Sequence, residues 1–214
     1  MKTIHEWSWT ALVSFCIVGL FFPSIGVAAI ACMLAPVLVS FFKGRLWCGN
    51  FCPRGSFNDV LLAKISKKYN SPTFLKKQWF RFLFLGVLMG MFAIQLINAW
   101  GSLEAVGAVF VRMIIITTLL TVILGTIFNQ RTWCTICPMG TMASLVARTK
   151  IINRKIKHVT FDEDKCVSCQ MCSKNCPMNI DLIEYKNSGK VTHADCLKCK
   201  VCVKRCPKNS LFIA

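Results

Sequence analysis

The sequence predicts an all-α membrane domain joined to a small α+β domain at its C-terminus. Three observations lead there. Apolar runs fill the first two-thirds of the 214 residues and lift the mean hydropathy to +0.54. A unit of helical hairpin, cysteine loop and amphipathic stretch occurs twice within that region. The last third is polar and lysine-rich, and it holds eight of the fourteen cysteines at regular spacing.

Apolar runs approaching twenty residues read as bilayer spans. Four transmembrane helices are expected, as two pseudo-repeated hairpins. Trp9 to Phe22 turns through Pro23-Ser24-Ile25-Gly26 into Val27 to Phe42; Phe80 to Ile97 is followed by Val106 to Phe128. The first two spans are short, which calls for tilt or a thin local bilayer. The Pro23–Gly26 turn carries no Lys or Arg, and residues 98–105 carry only Glu104. Lys43, Arg45, Arg54, Lys64, Lys76, Arg81, Arg131, Arg148 and Arg154 all flank the other ends. That asymmetry is the positive-inside pattern of a multi-pass protein of the bacterial inner membrane. It places both termini, both cysteine loops and the C-terminal domain in the cytoplasm. Trp7, Trp9, Trp47, Trp79, Trp100 and Trp133 suit the two interfacial aromatic belts.

The net charge of +17 invites a nucleic-acid reading. Binders of that kind gather their basic residues on one face or helix. Here the cations mark span ends, so membrane lipid is the expected partner and nucleic acid is not. The first apolar run lacks a small-residue cleavage site and leads straight into a second, so no cleavable signal is expected. The cysteine spacings fit metal ligation better than bridging, in a compartment that keeps thiols reduced.

The repeat is legible residue by residue. Arg45-Leu-Trp-Cys-Gly-Asn-Phe-Cys-Pro-Arg-Gly follows the first hairpin, and Arg131-Thr-Trp-Cys-Thr-Ile-Cys-Pro-Met-Gly follows the second. Arg, Trp, both cysteines, Pro and Gly align, with one residue fewer between the second pair. Each copy runs on into an amphipathic stretch. Phe57, Val60, Leu61 and Ile65 share one face in the first, and Met142, Leu145, Val146 and Thr149 share one in the second. Such helices lie in the interface plane, and paired repeats place a shared site where they meet. The domains are thus 1–152, a basic linker 153–158, and 159–214.

The C-terminal domain reads Cys166-x2-Cys169-x2-Cys172-x3-Cys176-Pro177, then Cys196-x2-Cys199-x2-Cys202-x3-Cys206-Pro207. This is the bacterial two-cluster ferredoxin run. Three ligands of each [4Fe–4S] cubane come from one motif and the fourth from the other. Cluster one is expected on Cys166, Cys169, Cys172 and Cys206, and cluster two on Cys196, Cys199, Cys202 and Cys176. Zinc sites pair Cys-x2-Cys units across longer gaps. A domain with so little apolar core depends on its metal to fold.

Cys48-x3-Cys52-Pro53 and Cys134-x2-Cys137-Pro138 supply two soft ligands each, together the four that a third [4Fe–4S] cluster needs. A [2Fe–2S] cluster, a single metal ion, or a pair of metal-free thiol sets remain the alternatives. Cys16 and Cys32 are expected as core filling. Arg112 lies inside the fourth span, with Gln95 and Glu104 in reach of the same end. It is either part of a quinone head-group site or a snorkelling or ion-paired side chain. His5, His158 and His193 show no ligand spacing. No Cys-x-x-Cys-His or Gly-x-Gly-x-x-Gly motif signals haem or dinucleotide.

The four spans, the two Trp-Cys…Cys-Pro loops and the dicluster tail together resemble the NapH-type membrane ferredoxins. The chain is also similar to the membrane and ferredoxin parts of NosR and CcoG. In the NapH-type proteins three residues usually separate the cysteines in both loops, whereas two separate Cys134 from Cys137. The resemblance implies a membrane-bound electron-transfer subunit, or component of a quinol dehydrogenase, exchanging electrons with the quinone pool. Its partners would be other redox subunits of a membrane complex, or an acidic ferredoxin- or flavodoxin-like donor. A redox-sensing or metalloenzyme assembly factor is the rival reading, and a non-catalytic core subunit of a larger respiratory complex is another.

Overall fold

A computed structural model describes residues 2–214, with side chains from His5 onward. Helix α1 (Lys2–Phe21) ends at Pro23, whose ring opens a 3-10 turn, Pro23–Ala28, leading into α2 (Ala29–Lys43). Gly44, at φ +61°, turns the chain out of α2 into the first cysteine loop. That loop holds two single-turn helices, α3 (Leu46–Asn50) and α4 (Pro53–Phe57), then a π-helical segment, Asn58–Leu62, and a short α5 (Ala63–Ile65). After α6 (Thr73–Lys76) come the two longest helices, α7 (Gln78–Asn98) and α8 (Leu103–Ile127), the latter capped by the Ser102 hydroxyl. The second loop repeats the first arrangement as α9 (Thr132–Ile136) and α10 (Pro138–Arg148), followed by α11 (Lys150–Lys155). In both loops proline occupies the first helical position after the second cysteine, where its missing N–H costs nothing.

Among the described residues, three helical segments are long and apolar enough to cross a membrane: Pro23–Lys43, Gln78–Asn98 and Leu103–Ile127. The remaining expected span, Trp9 to Phe22, lies on α1, whose first turns carry Lys2, His5 and Glu6 and leave a shorter apolar run. Around these helices the packing is crossed. The short helix α4 of the first loop packs on α1, whereas α10 of the second loop packs on α2 and α7. Helix α10 buries its small face, Gly140, Ala143, Ser144 and Ala147, which allows close approach to α2. Met142 and Leu145 are left outward.

Trp133 departs from the expected belt position. It is 1% exposed, edge-on to Phe84 at 5.9 Å, with the Arg54 guanidinium 5.8 Å above its ring. The tryptophan of the second loop is a core residue of the loop junction.

The C-terminal domain is a three-stranded antiparallel sheet, ordered β2-β1-β3, from β1 (Val159–Phe161), β2 (Lys190–Val191) and β3 (Leu211–Ile213). Val159 pairs with Val191 on one side and Ile213 on the other. The short helices α12 (Met171–Lys174) and α13 (Val201–Arg205) carry the third cysteine of each motif. The core of this domain runs without a break into the first loops, since Cys48 and Cys134 belong to the same buried cluster as Val159, Phe161, Leu197 and Cys202.

Candidate metal centres

The two C-terminal motifs share one backbone pattern. Ser168 and Gln170 have φ of 54° and 60°, and their counterparts Lys198 and Lys200 have 53° and 63°. Asn179 and Asn209, three residues after Cys176 and Cys206, have 50° and 49°. Left-handed residues at alternate positions curl each loop around a point, so that successive N–H groups face inward. Non-glycine residues hold that conformation at a cost, which the two loops bear at the same places.

Each curl encloses a cavity, and the cysteines on its wall are those expected from the spacing. Cys166, Cys169, Cys172 and Cys206 line one, capped by Phe161, Ile183 and Leu211. Cys176, Cys196, Cys199 and Cys202 line the other, with Val159, Ile180 and Leu197. The exchange of the fourth cysteine between motifs is therefore present in the fold. Ser210 N–H points at Cys206 Sγ, 3.4 Å away. Burial pushes Cys196 up to about 11 and Cys202 up to about 12. Such thiols stay protonated at neutral pH unless a metal displaces the proton. All-thiol quartets in dry, curled loops fit iron–sulfur clusters, which take Cys ligation. Among the described residues no three or more His, Cys, Asp or Glu side chains close on a single-ion site.

The fold also brings Cys48 and Cys52 together with Cys134 and Cys137. All four line one cavity of about 270 Å³ at the junction of the loops with α1, α2 and α8. Cys32 of α2 lines it too, and thus sits beside the quartet rather than in anonymous core. Leu12, Phe15, Ala29, Met33 and Ile114 form its apolar wall, and Arg54 and Trp133 its polar edge. The Trp133 indole N–H and Arg54 Nε are buried without a partner. The rest of the Arg54 fork donates to Thr117 Oγ1 at 2.8 Å, Thr118 Oγ1 and the Ile114 carbonyl. Burial raises the Cys48 and Cys52 thiols well above their ordinary range, Arg45 opposing the shift at Cys48.

Two fully buried arginines brace this quartet crosswise. Arg45 of the first loop donates to the Cys134 carbonyl of the second at 2.6 Å. Arg131 of the second loop donates to the Cys48 carbonyl of the first at 2.8 Å, and to Cys134 Sγ at 3.5 Å. Each passes over the glycine of the opposite loop. A Cβ on Gly55 would lie 2.8 Å from Arg131 Nη1, and one on Gly140 2.6 Å from Arg45 Nη2. The two braces are anchored by different carboxylates. Arg131 forks onto Asp59 at 2.8 and 2.6 Å, and His5 joins the same carboxylate at 3.0 Å. Arg45 meets Asp195 at 2.7 Å, and Arg81 of α7 completes that triad at 2.9 and 3.0 Å. Asp59 lies on the π-helical segment, next to Asn58, whose amide reaches Cys134 Sγ at 3.8 Å. The wider π turn thus sets two consecutive side chains against the second loop.

Asp195 precedes Cys196, so the triad fastens the Cys196 motif to the helical domain. Two more contacts do the same, through Lys198 and Leu197, and a third, from Lys76, holds the turn after Cys176. Lys198 donates to the Lys43 carbonyl at 3.0 Å, and Lys76 to the Asn179 carbonyl at 3.1 Å. Gly49 lies so close to Leu197 that a Cβ would stand 2.2 Å from its carbonyl oxygen. The loop carrying Cys196 and Cys199 therefore rests directly on the loop carrying Cys48, and the Cys166 motif faces away.

The expected quinone residues are not assembled. Arg112 and Glu104 are exposed and Gln95 is half-buried, and no hydrogen bond or ion pair joins them among the described residues. Two arginines of the first cysteine loop line the cysteine cavity, the fully buried Arg45 and the half-buried Arg54. Sequence reasoning placed Arg54 only among the span-end charges, although its position after Cys52-Pro53 marks it.

With this geometry the comparisons are specific. The chain matches the 4Fe-4S binding domain family twice, over residues 25–72 and 111–158, and the 4Fe-4S dicluster domain family over residues 158–207. These matches define it as an iron–sulfur protein carrying 4Fe-4S ferredoxin domains. It is 29% identical over 161 residues to an uncharacterized protein of Methanocaldococcus jannaschii, covering 74% of this chain and 61% of that one. It is 23% identical over 178 residues to YccM of Escherichia coli K12, a protein named for a proposed electron-transport role, covering 74% of this chain and 48% of that one. The chain spans about half to three-fifths of the length of these curated relatives. No solved structure matches it.

Proposed function

We propose that the protein is a membrane-bound electron-transfer subunit joining iron–sulfur chemistry on the cytoplasmic side to a carrier or partner in the bilayer. The observation that carries this reading is the seating of the Cys196–Cys199 loop on the Cys48 loop. It brings cysteines of all three quartets into contact with one apolar cluster, Cys48 and Cys134 with Cys172 and Cys202 at its heart. Cys166, Cys169, Cys172 and Cys206 would hold the outer cluster, and Cys176, Cys196, Cys199 and Cys202 the inner one. Cys48, Cys52, Cys134 and Cys137 would hold a third at the membrane rim. When bound, each cluster takes up and releases single electrons.

The chain's own residues do the rest. The curled loops exclude water from the sulfurs, and burial with nearby hydrogen bonds tunes a cluster's potential. Arg45 and Arg131 hold the rim loops at fixed separation and place positive charge beside the thiolates, which favours a reduced, more negative centre. In this reading α1 is the fourth span, the hairpins are a true pseudo-repeat, and the loops face the cytoplasm. The double match to the 4Fe-4S binding domain supports the repeat. A quinone-type carrier is the bilayer partner we favour. The apolar wall of the cavity behind Cys32, Cys52 and Cys137 is a better approach for it than Arg112.

Iron and sulfide quantitation with EPR on the purified chain tests the assignment. Three cubanes give about twelve irons, since each carries four. A value of about eight that is unchanged in Cys48→Ser/Cys134→Ser removes the rim centre. Reduction or reoxidation of the bound iron by a quinol analogue tests the carrier.

A further inference from the structure

We infer that the recess between α11 and the Thr192–Ala194 loop is a binding site for a phosphate group. It is a hollow of about 440 Å³, separate from all three cysteine cavities, lined by Arg148, Lys150, Asn153, Arg154, Tyr185 and His193 among others. These side chains come from the end of α10, from α11, and from two segments of the ferredoxin domain. The hollow thus exists only because the two domains are docked.

Its charge sets it apart from the buried basic groups of the molecule. Every fully buried arginine in the junction is neutralised: Arg45 and Arg81 share Asp195, and Arg131 holds Asp59. Arg148, Lys150 and Arg154, all exposed, line the recess without a carboxylate on its wall, and none forms an ion pair among the described residues. Tyr185 adds a hydroxyl. His193 Nδ1 accepts the Asp195 N–H at 3.1 Å, so its proton sits on Nε2 and that nitrogen is a donor. Five donor groups and no anion are the complement of a multi-oxygen anion. Two guanidinium forks suit phosphate, whose oxygens accept paired N–H bonds.

The floor is fixed in advance. Asn153 donates to the Ala147 carbonyl at 3.1 Å and the Thr192 carbonyl at 3.2 Å, and the His158 ring lies between the Asn153 and Val191 carbonyls, donating to one of them. A ligand therefore meets a floor already set, and the ordering that binding costs falls on the exposed cations above it.

A phosphate group could arrive on an anionic lipid or in solution, and the arms of one experiment separate these. Full-length chain with its iron is placed in nanodiscs of phosphatidylcholine alone, or with phosphatidylglycerol. Binding of inorganic pyrophosphate is measured by calorimetry, and retained phosphatidylglycerol by native mass spectrometry. The expected result is saturable binding of at least one probe, weakened tenfold or more in Arg148→Gln/Arg154→Gln at unchanged iron content. Pyrophosphate blocked by phosphatidylglycerol assigns the site to a headgroup; pyrophosphate binding indifferent to it assigns a soluble ligand. Equal binding of both probes by wild type and variant, or by neither, overturns the inference. Iron content reports on the proposed function, so the two fail separately.

Discussion

Arg45 donates a 2.6 Å hydrogen bond to the carbonyl oxygen of Cys134, and Arg131 returns the relationship to Cys48 at 2.8 Å. Each arginine stands three residues ahead of the first cysteine in its own loop but serves the cysteine of the other. A guanidinium presents its donors in a fixed plane, so it can engage a carboxylate and a carbonyl at once. The two loops of the rim quartet are therefore tied to each other through arginine side chains on the cysteines' own carbonyls.

Arg131→Gln is expected to strip the rim centre and spare the tail. Breaking one partner of a buried ion pair costs about 3–5 kcal/mol, here together with the bond to the Cys48 carbonyl. Iron per chain falls from about twelve towards about eight, four per lost cubane. The EPR signals of the ferredoxin domain persist. Arg131→Lys behaves similarly, because an ammonium lacks the fork that spans Asp59 and Cys48. Full iron in the lysine variant would show that charge alone suffices.

Gly49 reports on the seating of one domain on the other. Its alanine variant puts a Cβ within 2.2 Å of the Leu197 carbonyl, a backbone atom that no rotamer change can remove. Gly90→Ala, on α7 with nothing within 4 Å of the added carbon, is the matched control. Gly49→Ala is expected to weaken magnetic coupling between centres in EPR and to speed proteolysis at residues 153–158. Gly90→Ala changes neither.

How much of this was readable beforehand follows from how local each signal is. The eight tail cysteines and the rim quartet were legible because ligand spacing and the Arg-x-Trp-Cys repeat are local. The alignment of Arg45 with Arg131 was visible too, but their crossing was not, since it depends on how α4 and α10 pack on different helices. Asp59 and Asp195 gave no signal in advance: a single carboxylate in a polar stretch looks solvated until a buried arginine is set against it. Arg112 drew attention as a charge inside an apolar window, although the cations that line the cysteine cavity are Arg45 and Arg54. Trp133 matched an interfacial pattern, yet its place in the second loop buries it under Arg54.

The Asp59 carboxylate carries a pH signature. Although burial opposes it, Arg131 and then the His5 and Arg131 hydrogen bonds hold its pKa down at about 2, below an ordinary value of 3.8. A depressed carboxylate contributes stability that is complete above the unfolded pKa and lost as pH falls through the folded one. The gap between wild type and Asp59→Asn in urea unfolding is expected to be about 2 kcal/mol near neutrality. It closes as pH drops from about 4 to about 2. A gap that instead widens on acidification would contradict this account of the Arg131–Asp59–His5 cluster.

Cys32 and Cys52 line the same cavity, but their roles should separate on substitution. A cubane takes four thiolates, and Cys48, Cys52, Cys134 and Cys137 supply them from two loops locked by Arg45 and Arg131. Cys32 belongs to α2, outside that brace, and its position is set by helix packing. Cys52→Ser is therefore expected to lower iron to about eight per chain, the four of one cubane being lost, with Cys137→Ser matching it. Cys32→Ser should leave iron at about twelve, three full cubanes, and alter only access to the cavity, read as a changed rate of reaction with a lipid-soluble oxidant. Iron loss in Cys32→Ser equal to that in Cys52→Ser would move the ligand set onto α2 and make the cavity wall part of the centre itself.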